Sequence, residues 1–529
     1  MRYFNTEGSC RPEEHYMVRL DDRLEKIKAL LVDRKKYFII NRGRQYGKTT
    51  TLRALEDYIK DEYIVLSLDF QGVETDKFVD AATFAHAFAR ELIEAAKLAE
   101  LEDRNTLLGP LIQFAGGAEK DGIMELFVIL SRMCREAAKP VVLMIDEVDS
   151  ASNNQVFVDF LSILRKYYLN RDKSPIFHAV ILAGVYDIKN LKLKLRPDIE
   201  HQYNSPWNIA AKFKVDMNFS ADQIAFMLSD YEADYHTGME IQRIAQEIYQ
   251  YTSGYPVLVS AICKYIDEDI LEDREACTLS GVWTCEGVRR AVKAILIDDI
   301  PLFGSMIRHI NEYPDMKKMF HAILFQGSEF AYNPDTKEIN LACMFGYAAD
   351  RDGKVQIANR IFETRLYNYF LSEEEMSSVI GSLAKRDRGC FIHDGMLDMD
   401  IVMKKFVEHF SEIYGEKDAG FVEKYGRKIF LLYLKPIING VGNYYIEAQT
   451  RDERRTDVIV DYLGEQFIIE LKIWHGREYN ERGKRQLMDY LAYYNKDKGY
   501  MLSFNFNKNK KSGVSEIRAG GKTIIEAVV

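Results

Sequence analysis

The stretch YFIINRGRQYGKTTTLRALEDYIK, Tyr37 to Lys60, decides the fold. Its first four residues are aromatic or β-branched and predict a buried strand over 37–40. A glycine-containing turn follows. After Lys48-Thr49-Thr50, the residues Leu52, Leu55 and Ile59 recur at helix spacing. In a strand–turn–helix unit, the backbone N–H groups of the turn and of the helix start converge on one point and favour an anion there. The pattern G-x-x-x-x-G-K-[ST] fits at Gly47, Lys48 and Thr49, but its first glycine falls on Arg42, with Gly43 one place late. Lys48 would reach the β- and γ-phosphates of a nucleotide and Thr49 would ligand Mg²⁺, with Gly43, Gly47 and Thr50 completing the loop.

A second element lies about a hundred residues on. Val141–Ile145 (VVLMI) is a continuous apolar run ending in Asp146-Glu147, which suits a strand buried on both faces of a parallel sheet. Carboxylates at the C-terminal end of such a strand lie where open α/β sheets bind ligands. Asp146 would hold Mg²⁺ through water, and Glu147 would orient or deprotonate the attacking water. ATP is therefore the expected cofactor, and the presence of Glu147 leads us to expect its hydrolysis.

The chain has 529 residues, enough for about three domains, with 47% apolar and 29% charged residues and a net charge of −10. This is an ordinary globular composition. The acidic balance does not favour non-specific nucleic-acid binding, although a local basic patch remains compatible with it. No apolar run is long enough to span a membrane, and the N-terminus lacks a secretory signal. Seven cysteines, without paired spacing, argue against a disulfide framework or zinc site and for a reducing cytoplasm.

Further strands are expected at Ile64–Phe70 and His178–Gly184, with helices at Ala81–Ala99, Ile123–Ala138 and Asn154–Tyr168 and a loop over 101–122. Strands alternating with helices predict a parallel sheet with right-handed crossovers. Tyr16, in the segment ahead of the first strand, is either a platform for adenine or a core residue. Arg165 is either a surface residue or a cation offered to a neighbouring subunit's γ-phosphate, as in a homo-oligomer. Gly47-Lys48-Thr49, Asp146-Glu147, Asn204 to Ala210 (NSPWNIA) and Gly254-Tyr255-Pro256 together resemble the AAA-like ATPases of the STAND and archaeal type. The resemblance implies a helical lid beside the nucleotide, with Pro256 as a lid residue. It also implies a winged helix after the lid, which the helices and short hairpin expected within 301–372 suit.

The C-terminal third carries three apolar strands, Tyr444–Thr450, Thr456–Tyr462 and Gln466–Trp474, with Gly464 turning the second into the third. Glu470 and Lys472 stand two apart on one face of a buried strand, where unpaired charge is costly. They make sense as chemistry: Asp457 and Glu470, with the Leu471 carbonyl, would hold Mg²⁺ or Mn²⁺, while Lys472 activates water or stabilises developing charge. An ion pair on an edge strand is the plain alternative. The spacing D-x12-E-x-K, with Gln486 and Tyr490 on one face of a following helix, resembles the PD-(D/E)XK nuclease superfamily. In that family the last two residues lie by metal and DNA. The resemblance also implies Glu423 as the counterpart of its first acidic residue, and Thr456 replaces its proline.

The expected architecture is α/β: a P-loop ATPase domain at 1–215, a helical lid at 216–300, a winged helix at 301–375 and a nuclease-like α/β domain at 376–529. The expected function is an ATP-coupled, metal-dependent DNA endonuclease, with defence against mobile elements or phage as its expected setting. The alternative is a nucleotide-dependent switch whose C-terminal domain binds nucleic acid or a protein without cleaving.

Overall fold

The computed structural model describes residues 2–98, 104–117, 121–151, 154–185, 207–268, 279–326, 328–375, 378–414, 419–438, 441–447, 456–473, 477–494, 496–505 and 511–529. The chain divides into two compact units, residues 1–291 with 343–346, and residues 292–342 with 347–529.

The first unit is built on four parallel strands, β1 (Tyr37–Asn41), β2 (Ile64–Asp69), β3 (Val141–Asp146) and β4 (Ala179–Gly184). Their order is β1-β4-β3-β2, with Tyr37 beside Val180 and Ile64 beside Val141. On the outer side of β1 a single parallel bridge joins Phe38 to Ala211 and prolongs the sheet. β3 and β4 are buried at every position, which is why they read as unbroken apolar runs. Helix α1 (Lys48–Ile59) leaves the turn after β1. Its Leu52, Leu55 and Ile59 are buried. Downstream, α2 (Pro256–Asp267) starts with proline in its first turn, where the missing N–H costs nothing.

The stretch expected as a loop contains a helix, Arg104–Ala115, with Pro110 inside it. Leu108, Leu111 and Phe114 of this helix join the main core, and that burial overrides the poor local propensity of Gly109-Pro110.

In the second unit, Pro301–Glu312 and Pro314–Gln326 are helices. Lys337–Met344 is also helical, so the hairpin that follows is formed by β5 (Ala348–Arg351) and β6 (Lys354–Ile357). A two-residue pair, β7 (Ile392–His393) and β8 (Met396–Leu397), comes next. The largest sheet has six strands in the order β13-β14-β12-β11-β10-β9. These are β9 (Gly442–Glu447), β10 (Thr456–Tyr462), β11 (Glu465–Ile473), β12 (Lys498–Phe504), β13 (Gly513–Ala519) and β14 (Lys522–Val528). The β10–β11 turn places Leu463 and Gly464 both at positive φ, 51° and 84°, the backbone of a tight hairpin that follows strand twist. β9, β10 and β11 are antiparallel, whereas β11, β12 and β14 run parallel. Helix α3 (Arg477–Tyr493) connects β11 to β12 and packs Leu487 and Leu491 on Ile468, Met501 and Ile524.

Candidate functional sites

The turn between β1 and α1 is shaped by its backbone. Gly47 has φ 75°, a left-handed conformation that glycine adopts without penalty. At Gly43 a side chain would collide with the carbonyl oxygen of Phe345. Arg42 keeps its side chain out of the turn, donating to the carbonyls of Asn41 (3.0 Å) and Val215 (3.3 Å) and lying over the Phe213 ring. Toward Lys48 the turn offers backbone: the Lys48 ammonium donates to the carbonyl oxygens of Arg42 (3.2 Å) and Gly43 (3.1 Å). Arginine in place of glycine is thereby accommodated.

The β3 carboxylates meet this turn. Thr49 Oγ1 donates to Asp146 Oδ2 at 2.6 Å, and the Glu147 N–H donates to Asp146 Oδ1 at 2.9 Å. Lys48 and Asp146 are both buried. Burial lowers the Lys48 pKa, while the charges of Glu147, Asp149 and Asp146 oppose the shift. Glu147 sits at φ 50°, left-handed without being glycine, a strained position of the kind that collects at functional sites. Burial raises its pKa above the ordinary carboxylate value, against the attraction of Lys48. Asp149, which the sequence reading passed over, accepts the Val185 N–H at the end of β4. Its only sequence signal is its place three residues after Asp146.

Beside the turn lies a partly open cleft, lined among others by Met17, Val18, Gly47, Thr50, Pro256 and Val257. Thr50 also accepts the Cys10 N–H at 3.1 Å, tying the N-terminal segment to α1. Pro256, expected as a lid residue, is part of this lining. Tyr16 is not in this lining. Its ring is buried against Phe4 and Tyr231 and its hydroxyl donates to Asp234 at 2.7 Å, so the next two residues, Met17 and Val18, face the cleft in its stead. Asn204 to Pro206 lie outside the described residues.

In the second unit, Glu470 of β11 is fully buried. Neither of its carboxylate oxygens has a hydrogen-bond partner among the described residues. The backbone of Asp457 on β10 lies directly across from it. The side chains of Asp457, Gln486 and Glu423 lie outside the described residues. Lys472 is buried on the Glu470 face and runs over α3 at Gly483, where any side chain would collide with it. Leu471, between them, is buried on the opposite face. Tyr490 is half-buried against the core beneath α3. Lys484 of α3 faces Glu481 (3.0 Å) and Glu526 (3.8 Å).

Residues 16–276 match the AAA-like domain family. Among solved structures, a Walker-type ATPase of Pyrococcus abyssi aligns with a TM-score of 0.44 and 14% identity, over 69% of this chain and 99% of its own. The ORC2 protein of Aeropyrum pernix, in ADPNP–ADP complexes, aligns at 0.40 and 12%, over 70% and 96%. Cdc6p of Pyrobaculum aerophilum aligns at 0.33 and 15%, over 70% and 97%. No curated protein matches the chain by sequence. Among the described residues no helix is long and apolar enough to cross a membrane. The family match and the strand–turn–helix geometry agree: residues 16–276 are similar to AAA-like domains and carry the α/β architecture of a P-loop ATPase.

Proposed function

We propose that this domain binds and hydrolyses ATP with Mg²⁺, and that its nucleotide state governs a metal-dependent nuclease centre on β10 and β11. The proposed division of the chain is the one stated at the outset: ATPase 1–215, lid 216–300, winged helix 301–375 and nuclease-like domain 376–529. For the ATPase, the supporting geometry is the meeting of Lys48, Thr49, Asp146 and Glu147 at one turn. Hard oxygen donors on Thr49 and Asp146 suit Mg²⁺, which retains several waters. Lys48 would exchange its two carbonyl partners for phosphate oxygens. Glu147 would take a proton from the attacking water.

For the second centre the carrying observation is Glu470: a fully buried carboxylate with neither oxygen partnered among the described residues. An uncompensated buried charge is expensive, and a divalent cation shared with Asp457 and the Leu471 carbonyl would remove that cost. Such a cation would polarise a phosphodiester. Lys472 would hold the attacking water or meet the charge that develops on phosphorus, and Gln486 and Tyr490 would contact the nucleic acid.

The test is incubation of the full chain with supercoiled plasmid and Mg²⁺ or Mn²⁺, with and without ATP, beside Lys472→Ala and Asp457→Ala. Nicking that requires metal and both residues, and that responds to ATP, is the expected result. Retention of DNA without nicking under every condition would replace the nuclease with a nucleotide-dependent binding switch. Cleavage unchanged in Asp457→Ala would refute the site.

A further inference from the structure

The cleft beside the phosphate turn contains polar atoms that the described residues leave without hydrogen bonds. Thr51 is fully buried in α1. Its N–H is bonded to the Gly47 carbonyl, yet its hydroxyl has no partner among the described residues. A threonine inside a helix commonly turns its hydroxyl back on the carbonyl four residues earlier, and this one does not. Gln45 has φ 56°, a left-handed backbone that side-chain-bearing residues seldom adopt. Its Oε1 is also enclosed and unpartnered. Both residues line the same cleft as Met17, Val18, Pro256 and Val257. A small set of polar groups in a mostly apolar cleft is how ligand orientation and identity are read.

We propose that Gln45 and Thr51 select the base of the bound nucleotide. Gln45 Oε1 accepts a hydrogen bond from the exocyclic amino group of adenine, and the Thr51 hydroxyl donates to a ring nitrogen. The inference rests on the reading that Lys48 holds the phosphates of a nucleotide whose base enters this cleft. A six-oxo purine presents an acceptor where adenine presents a donor, so it would face Oε1 acceptor to acceptor. A purine with no substituent at that position would lose one bond without gaining a clash.

The experiment is equilibrium binding of ATP, ITP and purine riboside triphosphate to the full chain in Mg²⁺, for wild type, Gln45→Met, Thr51→Val and Lys48→Ala. Wild type is expected to bind ATP about tenfold tighter than purine riboside triphosphate, with ITP weakest. Gln45→Met keeps the length of the side chain and removes the amide. Its ATP affinity should fall to that of purine riboside triphosphate, whose own affinity stays within about twofold and so reports an intact cleft. Thr51→Val should weaken ATP and purine riboside triphosphate together. Equal wild-type affinity for all three nucleotides would overturn the proposal. So would a preference for ITP, or discrimination that survives Gln45→Met. If wild type binds none of the three, or if Lys48→Ala binds as well as wild type, the underlying nucleotide reading fails instead.

Discussion

Lys48 and Glu470 are both charged side chains with almost no exposure, 6% and 0%, and the protein treats them in opposite ways. Lys48 is met by two carbonyl oxygens of its own turn and lies near three carboxylates. Glu470 has no hydrogen bond to a described residue on either oxygen. The first arrangement is self-consistent without a ligand, because backbone carbonyls hold the ammonium; on the proposed reading phosphate oxygens would replace them. The second becomes consistent when positive charge arrives. A turn can solvate a cation with its own carbonyls, whereas the N–H groups of β11, the backbone groups that could answer a carboxylate, serve ladders on both sides.

The largest expected effect lies in the first region. Glu147→Gln keeps the shape of the side chain and removes the base, so phosphate release should fall by about a hundredfold or more while ATP binding persists. Because burial raises the Glu147 pKa, the base is protonated at acid pH and becomes active as pH rises. The acid limb of wild-type hydrolysis should therefore lie above the ordinary carboxylate range. In Glu147→Gln that limb should vanish from whatever rate remains. Wild-type turnover that stays flat from pH 4 upward (a range set by the ordinary glutamate pKa of about 4.3) would remove Glu147 from the role.

A smaller effect separates the two regions more sharply. With metal chelated, Glu470→Gln replaces an unpartnered buried carboxylate by a neutral amide of the same shape. The second unit should be stabilised by about 1–3 kcal/mol, read as a higher denaturation midpoint for that unit. Added Mn²⁺ should then raise the wild-type midpoint and leave the variant where it was, by mass action on the folded state. A destabilised variant in chelator, or an equal response to Mn²⁺, would show that Glu470 is satisfied within the protein. That outcome would favour the ion-pair reading of the strand.

How legible each region was follows from the same physics. β3 announced itself because burial on both faces leaves an unbroken apolar run ending in Asp146-Glu147, and β10–β11 because Gly464 stands between two apolar strands. The cleft was harder to read. Tyr16 carried the aromatic signal, but Phe4, Tyr231 and Asp234, remote in sequence, draw it into the core. Gln45 and Thr51 gave no signal, since an orphaned polar atom exists only once the neighbours that fail to satisfy it are known. The strands beyond α3 were not assigned from sequence, although Gly520-Gly521, both at positive φ, mark the turn between β13 and β14. Helix Arg104–Ala115 was hidden by Gly109-Pro110, because a single chain does not display the core into which Leu108, Leu111 and Phe114 fit.

The smallest expected change in ligand binding is at the residue that departs most visibly from the sequence pattern. Only the carbonyl of Arg42 serves Lys48; its guanidinium is spent on Asn41, Val215 and Phe213. Arg42→Gly restores the pattern but deletes those contacts and adds backbone freedom to the unfolded chain. The first unit should lose about 1–2 kcal/mol of stability, while ATP affinity stays within about twofold of wild type. Thermal melting and equilibrium binding on the same preparation read the two quantities separately. A large gain in affinity would mean that the arginine side chain obstructs the phosphates. A large loss would mean that the guanidinium contacts them, and in either case the Arg42 side chain would no longer be a bystander to the phosphates.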